Sequence, residues 1–176
     1  DALIGQALSL ARGLDPEPAQ TLDLQPWLQN RLDQQAPAAA AAQATLALHC
    51  PQGLQISAPP ALLGRLLDNL LSNAIRYAAG PIELVAQTSP ESGSARIRLS
   101  VQDRGPGIPA DALPAVWQAF HRLDTSRSRQ TGGVGLGLAI VRQIAQSQAW
   151  LVGLEARPNG GLCAWVEMPH TSVESP

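Results

Sequence analysis

The chain has 176 residues, which is enough to bury one hydrophobic core, so a single main domain is expected. Its formal net charge of -2 gives no basic field, which argues against a nucleic-acid-binding protein and favours a small ligand or a protein partner. All 12 basic residues are arginine, and this excludes a Walker A loop and a eukaryotic-type protein kinase, because both need a lysine at the phosphates.

The first elements that the sequence predicts are two amphipathic helices. Apolar residues at helical spacing over 3–11 predict a short helix that ends before Gly13 and Pro16. A proline-containing break at 14–20 follows. The next apolar spacing predicts a helix over 24–35, and the alanine-rich stretch 36–43 is interpreted as a loop or low-complexity insert.

A strand and a long helix come next. Alternating residues predict a strand over 45–49, and 54–56 is interpreted as a short return strand. The prolines at 59 and 60 suit a helix start, where a missing amide costs little. Apolar positions then continue at helical spacing to about Tyr77, and Gly80 and Pro81 are expected to end this helix.

The rest of the chain predicts two hairpins and one more helix. The first hairpin joins strands at 82–87 and 95–102, the helix covers about 135–146, and the last hairpin joins 150–157 to 162–168. This order predicts an α/β two-layer sandwich, with a mixed, mostly antiparallel sheet covered on one face by about three helices.

The segment 105–133 has weak periodicity, and a connection of this length is uncommon in a compact domain unless it is functional. We therefore interpret it as a lid, most mobile over about 110–131. Within it, Phe120 could anchor the segment by its apolar side, and Arg122 could reach phosphate oxygens.

The long helix carries two asparagines, Asn69 and Asn73. Because they are four residues apart, their side chains lie one turn apart on one face. Amide oxygens at this spacing can complete the oxygen shell of a Mg²⁺ that already binds phosphates and water. The alternative is that they are ordinary polar residues on a solvated helix face.

An acidic residue followed by spaced glycines comes directly after a predicted strand. The carboxylate of Asp103 could accept a hydrogen bond from the exocyclic amine of adenine. Gly105 and Gly107 would let the backbone approach the ring. A simple Asp-Gly turn is the alternative.

A cluster of glycines over 132–137 precedes the last predicted helix. Bare amides at a helix N-terminus bind anions, so this cluster predicts a phosphate cradle. It does not complete the dinucleotide fingerprint G-x-G-x-x-G.

Taken in order, these motifs resemble the catalytic ATP-binding domain of sensor histidine kinases, in the osmosensor-like branch of the GHKL or Bergerat family, over about 55–169. The resemblance implies the Bergerat fold, with ATP and Mg²⁺ held between the asparagine helix and the lid. The contact residues that it implies are Asn69, Asn73, Arg76, Tyr77, Asp103, Gly105, Gly107, Ile108, Phe120, Arg122, Gly133, Val134, Gly135, Leu136, Gly137 and Leu138.

The resemblance also implies roles. Asn73 corresponds to the main Mg²⁺ ligand and Asn69 to its helper, Arg76 and Tyr77 to phosphate and ribose contacts, and Asp103 to the adenine reader. In the lid, Arg122 corresponds to the arginine at the γ-phosphate, and with Asn73 it is the expected catalytic pair. The glycines at 133, 135 and 137 correspond to the hinge of the lid and its phosphate amides.

The expected organisation is the end of a dimerisation helix with a linker at 1–20, the catalytic domain at 21–170 and a tail at 171–176. The implied activity is transfer of the γ-phosphoryl group of ATP to a histidine on the dimerisation domain. None of the histidines at 49, 121 and 170 lies in the acceptor motif, so the acceptor is expected upstream.

The implied partners are that dimerisation domain and a response regulator. The implied parent is a membrane-bound homodimer in the bacterial inner membrane, and this chain is its cytoplasmic domain. No signal peptide opens the chain, and its longest apolar stretch, at 36–48, is too short and interrupted to span a bilayer.

Two other functions stay open. A GHKL-type ATPase has similar glycine motifs, but it carries a glutamate where this chain has Asn69, which cannot take a proton. A degenerate module without nucleotide would have lost metal or adenine residues. The sequence departs from the family pattern at Ala119, Val134 and 148–149.

The two cysteines, Cys50 and Cys163, show neither C-x-x-C spacing nor a histidine at metal-ligand spacing. They are expected to be reduced and partly buried thiols.

Overall fold

The structure is a computed structural model that describes residues 17–78, 80–89, 96–118 and 135–170. The helix predicted at 3–11 lies outside the described residues. So do these predicted site and lid residues: Ala119, Phe120, His121, Arg122, Gly133 and Val134. The domain limits at 1–20, 21–170 and 171–176 stay predictions.

Seven strands are described: β1 (Gln20–Asp23), β2 (Ala44–His49), β3 (Gln55–Ala58), β4 (Gly80–Ser89), β5 (Arg96–Gln102), β6 (Leu151–Ala156) and β7 (Leu162–Pro169). The main sheet has five strands in the order β2-β4-β5-β7-β6. β2 is parallel to β4, and every other pair in this sheet is antiparallel. The predicted mixed, mostly antiparallel sheet is confirmed.

Three helices are described: α1 (Leu24–Ala41), α2 (Pro60–Tyr77) and α3 (Gly137–Ser147). Alternate strand residues are buried on the face where the core lies; in β5 these are Ile97, Leu99 and Val101. α2 contributes a continuous apolar stripe to the same core, including Leu63, Leu66, Leu67, Leu70 and Leu71. The predicted two-layer α/β sandwich is therefore confirmed.

The prediction that 36–43 is a loop was wrong. α1 continues through this stretch to Ala41, with Pro37 inside it. Proline removes one helix hydrogen bond, but alanine has the highest helix propensity, and Ala39 is 2% exposed. The amide of Ala42 then donates to the carbonyls of Ala38 and Ala39 and closes the helix.

The prediction of a return strand at 54–56 was also wrong in its pairing. β3 does not pair with β2 but with β1, antiparallel, in a separate two-stranded sheet. In that sheet Leu22 lies opposite Ile56, and both are buried. β1 lies next to the proline-containing break and is too short to produce a clear alternation, so pattern reading missed it.

α2 ends at Tyr77, as predicted, and Gly80 (φ +106) begins β4 two residues before the predicted strand start. Gly135 (φ +73) lies outside α3, which begins at Gly137. Positive φ is not helical, and glycine adopts it without steric cost.

Both cysteines are free and half-buried, as expected. Burial raises the pKa of Cys163, and it raises the pKa of Cys50 with a smaller contribution from Asp23. Among the described residues, no helix is long and apolar enough to cross a membrane.

Candidate nucleotide-binding site

The two asparagines of α2 face the first residue of α3. The side-chain amide of Asn69 donates to the carbonyl of Arg65 at 2.7 Å, which turns its oxygen away from its own helix. A β-carbon built on Gly137 would lie 3.3 Å from Oδ1 of Asn69 and 3.3 Å from Oδ1 of Asn73. Both side-chain oxygens, and Nδ2 of Asn73 at 3.4 Å, therefore lie in tight contact with the position that a side chain at residue 137 would take.

This pair fits a magnesium ion that is shared with a substrate. Mg²⁺ prefers oxygen ligands and often keeps waters and phosphate oxygens in its shell. The described part of the chain contains no group of three or more histidine, cysteine or acidic residues that could hold a metal by themselves. A metal at Asn69 and Asn73 would thus need phosphate oxygens to complete its shell.

The start of α3 supplies backbone groups to the same place. No described side chain caps α3, whose N-cap residue is Leu136. Leu136 is buried and Leu138 packs against the core, so these leucines can offer a ligand their amides but not their side chains. Uncapped amides at a helix N-terminus attract anions, and here they lie beside the asparagine oxygens.

Asp103, directly after β5, has one polar atom left for a ligand. Its amide donates to the carbonyl of Leu162 at 2.9 Å. Its Oδ1 accepts from the amide of Gly105 at 2.8 Å and from the amide of Leu162 at 3.3 Å. Its carbonyl accepts from Nη1 of Arg157 at 3.1 Å. No described residue donates to Oδ2. Asp103 is only 8% exposed, and the hydrogen bonds to Oδ1 hold its carboxylate in place.

The glycines after Asp103 serve the packing of this loop. A β-carbon on Gly105 would lie 3.0 Å from the carbonyl of Tyr77 and 3.0 Å from Cβ of Ala78, so the loop lies against the end of α2. Gly107 has φ +72 and faces the carbonyl of Gly161. Their predicted role, close approach to the adenine ring, stays a prediction.

The remaining predicted residues of the described part lie around this loop. Arg76 and Tyr77 are exposed at the end of α2, with Tyr77 51% exposed. The carbonyl of Tyr77 lies close to Gly105. The residue predicted to contact the ribose and the loop predicted to contact the adenine are therefore neighbours. Ile108 is half-buried in the same loop.

Comparison with known proteins agrees with this arrangement. The sequence profile of the family described as histidine kinase-, DNA gyrase B-, and HSP90-like ATPase matches residues 58–172. The chain belongs to this ATPase family. Among solved structures, full-length ShkA in complex with AMPPNP aligns with a TM-score of 0.79 and 29% identity, over 99% of this chain and 36% of that chain.

The sequence relatives are sensor kinases. The sensor protein GacS of Pseudomonas syringae pv. syringae is 36% identical over 83% of this chain and 16% of its own length. The sensor-like histidine kinase SenX3 of Mycolicibacterium smegmatis is 31% identical over 96% of this chain and 44% of its own length. The catalytic domain of the histidine kinase ThkA, at 20% identity, a TM-score of 0.71 and coverage of 87% and 96%, supports the fold alone.

These matches give the Bergerat fold and an ATP-binding domain of the sensor histidine kinase type. The chain spans less than half the length of the curated relatives it matches.

Sequence reading predicted the turn between β6 and β7 but missed its contact with the Asp103 loop. Gly161 has φ +101, and a β-carbon on it would overlap the carbonyl of Asp103. Nη1 of Arg104 donates to the carbonyl of Pro158 at 2.9 Å. The run of proline, asparagine and two glycines over 158–161 predicted a turn, but nothing in it indicated that the turn holds the Asp103 loop.

Proposed function

We propose that this chain binds Mg·ATP and donates the γ-phosphoryl group to a histidine on the dimerisation domain of a sensor histidine kinase. The parent would be a membrane-bound homodimer that signals through a response regulator, with this chain as its cytoplasmic catalytic domain. ATP binding rests on family membership; the metal, the acceptor and the partners are part of the proposal.

The single observation that carries the proposal is the convergence of the asparagine oxygens on Gly137. The space beside Gly137 is bordered by the carboxamides of both asparagines and by the uncapped start of α3. Oxygen donors suit Mg²⁺, and free amides suit the phosphate that shares it. This donor set supports a metal–phosphate ligand better than it supports a degenerate module without nucleotide.

Asn69 separates transfer from hydrolysis. An ATPase of this family needs a base for water at that position, and a carboxamide cannot take a proton. Its nitrogen is also engaged with the carbonyl of Arg65. The acidic residue next to it, Asp68, accepts from Nη1 of Arg31 on α1 at 3.2 Å, so its carboxylate is directed to another helix. The site thus favours a reaction in which the partner supplies the nucleophile.

The proposed reaction needs no base from α2. A neutral imidazole nitrogen uses its lone pair to form a bond to the γ-phosphorus, while the bond from phosphorus to the β,γ-bridging oxygen breaks and ADP leaves with that electron pair. The proton on the other imidazole nitrogen passes to solvent. The metal would neutralise charge on the phosphates, and the residues of this chain hold the nucleotide: Asp103 at the base, Asn69 and Asn73 at the metal, and Arg122 at the γ-phosphate.

Two measurements test the proposal. The first is a titration of the chain with a fluorescent ATP analogue, with and without Mg²⁺; tight binding should require the ion. The second is incubation with radiolabelled ATP and the histidine-bearing dimerisation domain of the parent kinase. Label that is stable to alkali and labile to acid should appear on the added domain, slowly, because tethering normally supplies a high effective concentration.

The outcomes separate the three candidate functions. Steady release of free phosphate without label on the added domain would establish a GHKL-type ATPase instead of a kinase domain. Absence of nucleotide binding in either condition would leave the degenerate module.

A further inference from the structure

Arg157 joins three strands of the main sheet at the nucleotide end. It follows β6 directly, and its side chain is 13% exposed. Nη1 donates to the carbonyl of Asp103 at 3.1 Å, while Nη2 forms an ion pair with Oε2 of Glu83 at 3.1 Å. Since β6 is the edge strand and β4 lies beyond β7 and β5, this side chain reaches across the sheet.

The carboxylate of Glu83 lies between Arg157 and His49. Glu83 lies on β4 opposite Gln102, the last residue of β5, and it points to the sheet face away from the helices, since its neighbours Ile82 and Leu84 are buried in the core. Its Oε1 lies 3.5 Å from Nε2 of His49 on β2. The carboxylate therefore fixes the guanidinium in the orientation that donates to Asp103.

The contact with Asp103 is at its backbone carbonyl. A planar guanidinium can satisfy a carbonyl and a carboxylate at once, because its donors are arranged in a rigid fork. The carbonyl also lies against Gly161, where no side chain would fit. Arg157 thus completes the set of bonds that holds Asp103 with Oδ2 left for a ligand.

We infer that Arg157, oriented by Glu83, is a positioning residue for adenine recognition: it acts on the nucleotide through the backbone of Asp103 without contacting it. The inference rests on the proposed nucleotide site. A hydrogen bond from a charged donor is among the stronger ones, and a displacement of Asp103 by a fraction of an ångström lengthens its bond to the adenine amine.

The test compares ATP and GTP affinities of the full chain carrying Arg157→Gln, measured by competition against a fluorescent ATP analogue. Glutamine keeps one donating NH₂ group but loses the guanidinium fork and the charge. ATP affinity should fall by about 3- to 10-fold with a smaller change for GTP, so the ATP-over-GTP ratio drops. Glu83→Gln should lower the ATP affinity and the ATP-over-GTP ratio by a smaller factor. For Arg157→Lys, both values should lie between those of the wild type and those of Arg157→Gln.

Two arginine controls separate positioning from general stability. Arg98→Gln removes ion pairs with Glu167 (2.7 Å) and Glu155 (3.4 Å) and a contact over the Trp165 ring (4.3 Å), and Asp103 takes part in none of them. It should lower stability and leave the ATP-over-GTP ratio unchanged. Arg142→Gln changes an exposed residue of α3 and should alter neither.

A double variant decides whether the effect runs through Asp103. If it does, adding Arg157→Gln to Asp103→Asn should change the ratio by less than twofold, because coupled residues are non-additive. Additive effects, or an unchanged ratio in Arg157→Gln alone while the wild type binds ATP, would overturn the inference and leave the proposed function intact. A wild-type chain that binds no ATP would instead refute the proposed function.

Discussion

A β-carbon on Gly137 would lie 3.3 Å from Oδ1 of Asn73 and 3.4 Å from its Nδ2, so the carboxamide of Asn73 packs directly against the first residue of α3. Gly137→Ala should therefore displace the carboxamide by a few tenths of an ångström. We expect Mg-dependent ATP affinity to fall by roughly tenfold, since small misplacements at such sites are costly.

The same substitution should not destabilise the fold, because alanine favours a helix over glycine by up to about 1 kcal/mol. Urea unfolding measured beside the ATP titration checks this. Gly64→Ala is the matched control: it replaces a glycine of α2 whose new β-carbon would meet the guanidinium of Arg31 at 2.5 Å, so it should change stability and not affinity. Unchanged affinity in Gly137→Ala would argue against a metal at Asn73.

Asp103→Asn should replace the acceptor oxygen Oδ2 by a donor group. The asparagine oxygen can still accept from the amides of Gly105 and Leu162, which places the NH₂ group where Oδ2 was. That donor faces the donor amine of adenine but would suit the carbonyl of guanine. We expect ATP to bind about tenfold or more weakly and the preference over GTP to shrink.

Competition titration with both nucleotides measures this change. The control is Asp33→Asn, at an exposed position of α1 where Asp33 accepts only from Gln29 in the described structure. It removes the same charge and should leave the ATP and GTP affinities as in wild type. An unchanged preference in Asp103→Asn would remove Asp103 from the site.

Gly153 lies under the indole of Trp165, its partner across β6 and β7. A β-carbon there would overlap the ring, so Gly153→Ala should tilt Trp165 away from Arg98 and cost about 1–3 kcal/mol of unfolding free energy, as overpacking does. Chemical denaturation measures the loss. Leu151→Ala on the same strand, at a side chain 50% exposed, should change stability by less than about 0.5 kcal/mol.

Pro37 is exposed in the interior of α1 and lacks the amide that the helix would use. Pro37→Ala should stabilise the chain by about 1–3 kcal/mol, because it restores a helix amide and removes a residue of very low helix propensity. The increase should appear in the thermal midpoint with no change in ATP affinity. A loss of stability would mean that Pro37 packs favourably in its helix.

The raised pKa of Cys163 makes stability depend on alkaline pH. Its folded pKa lies above the ordinary value of 9.0 because burial disfavours the thiolate. The folded chain therefore holds the proton longer than the unfolded chain, so stability is fully present below 9.0 and is lost as pH rises through the folded pKa. The chain has no lysine and one tyrosine, so few other groups titrate there.

Urea unfolding at about pH 8 and about pH 10 should show this loss, and Cys163→Ser should reduce it. If Cys163→Ser loses as much stability as the wild type, other groups cause the loss. Cys50 is the first candidate, since burial also raises its pKa.

The sequence determined the main elements because their signals are long and periodic. The apolar stripe of α2 and the alternation in β4 and β5 need no tertiary information, and the spacing of Asn69 and Asn73 already places them on one helix face. The same local signals misjudged α1 after residue 35, where alanine propensity and the burial of Ala39 outweigh one proline, and they missed β1, whose four residues are too few for a pattern.

The tertiary structure alone decided which distant residues meet. That Gly137 faces both asparagine oxygens follows from the packing of α3 against α2, which no spacing along the chain encodes. That Arg157 holds Asp103, 54 residues away, follows from the strand order that brings the end of β6 near the end of β5 and the open face of β4. Local sequence reports backbone preference and periodic burial, whereas a site built by contacts across the sheet depends on chain topology, and topology is fixed only when the whole core packs.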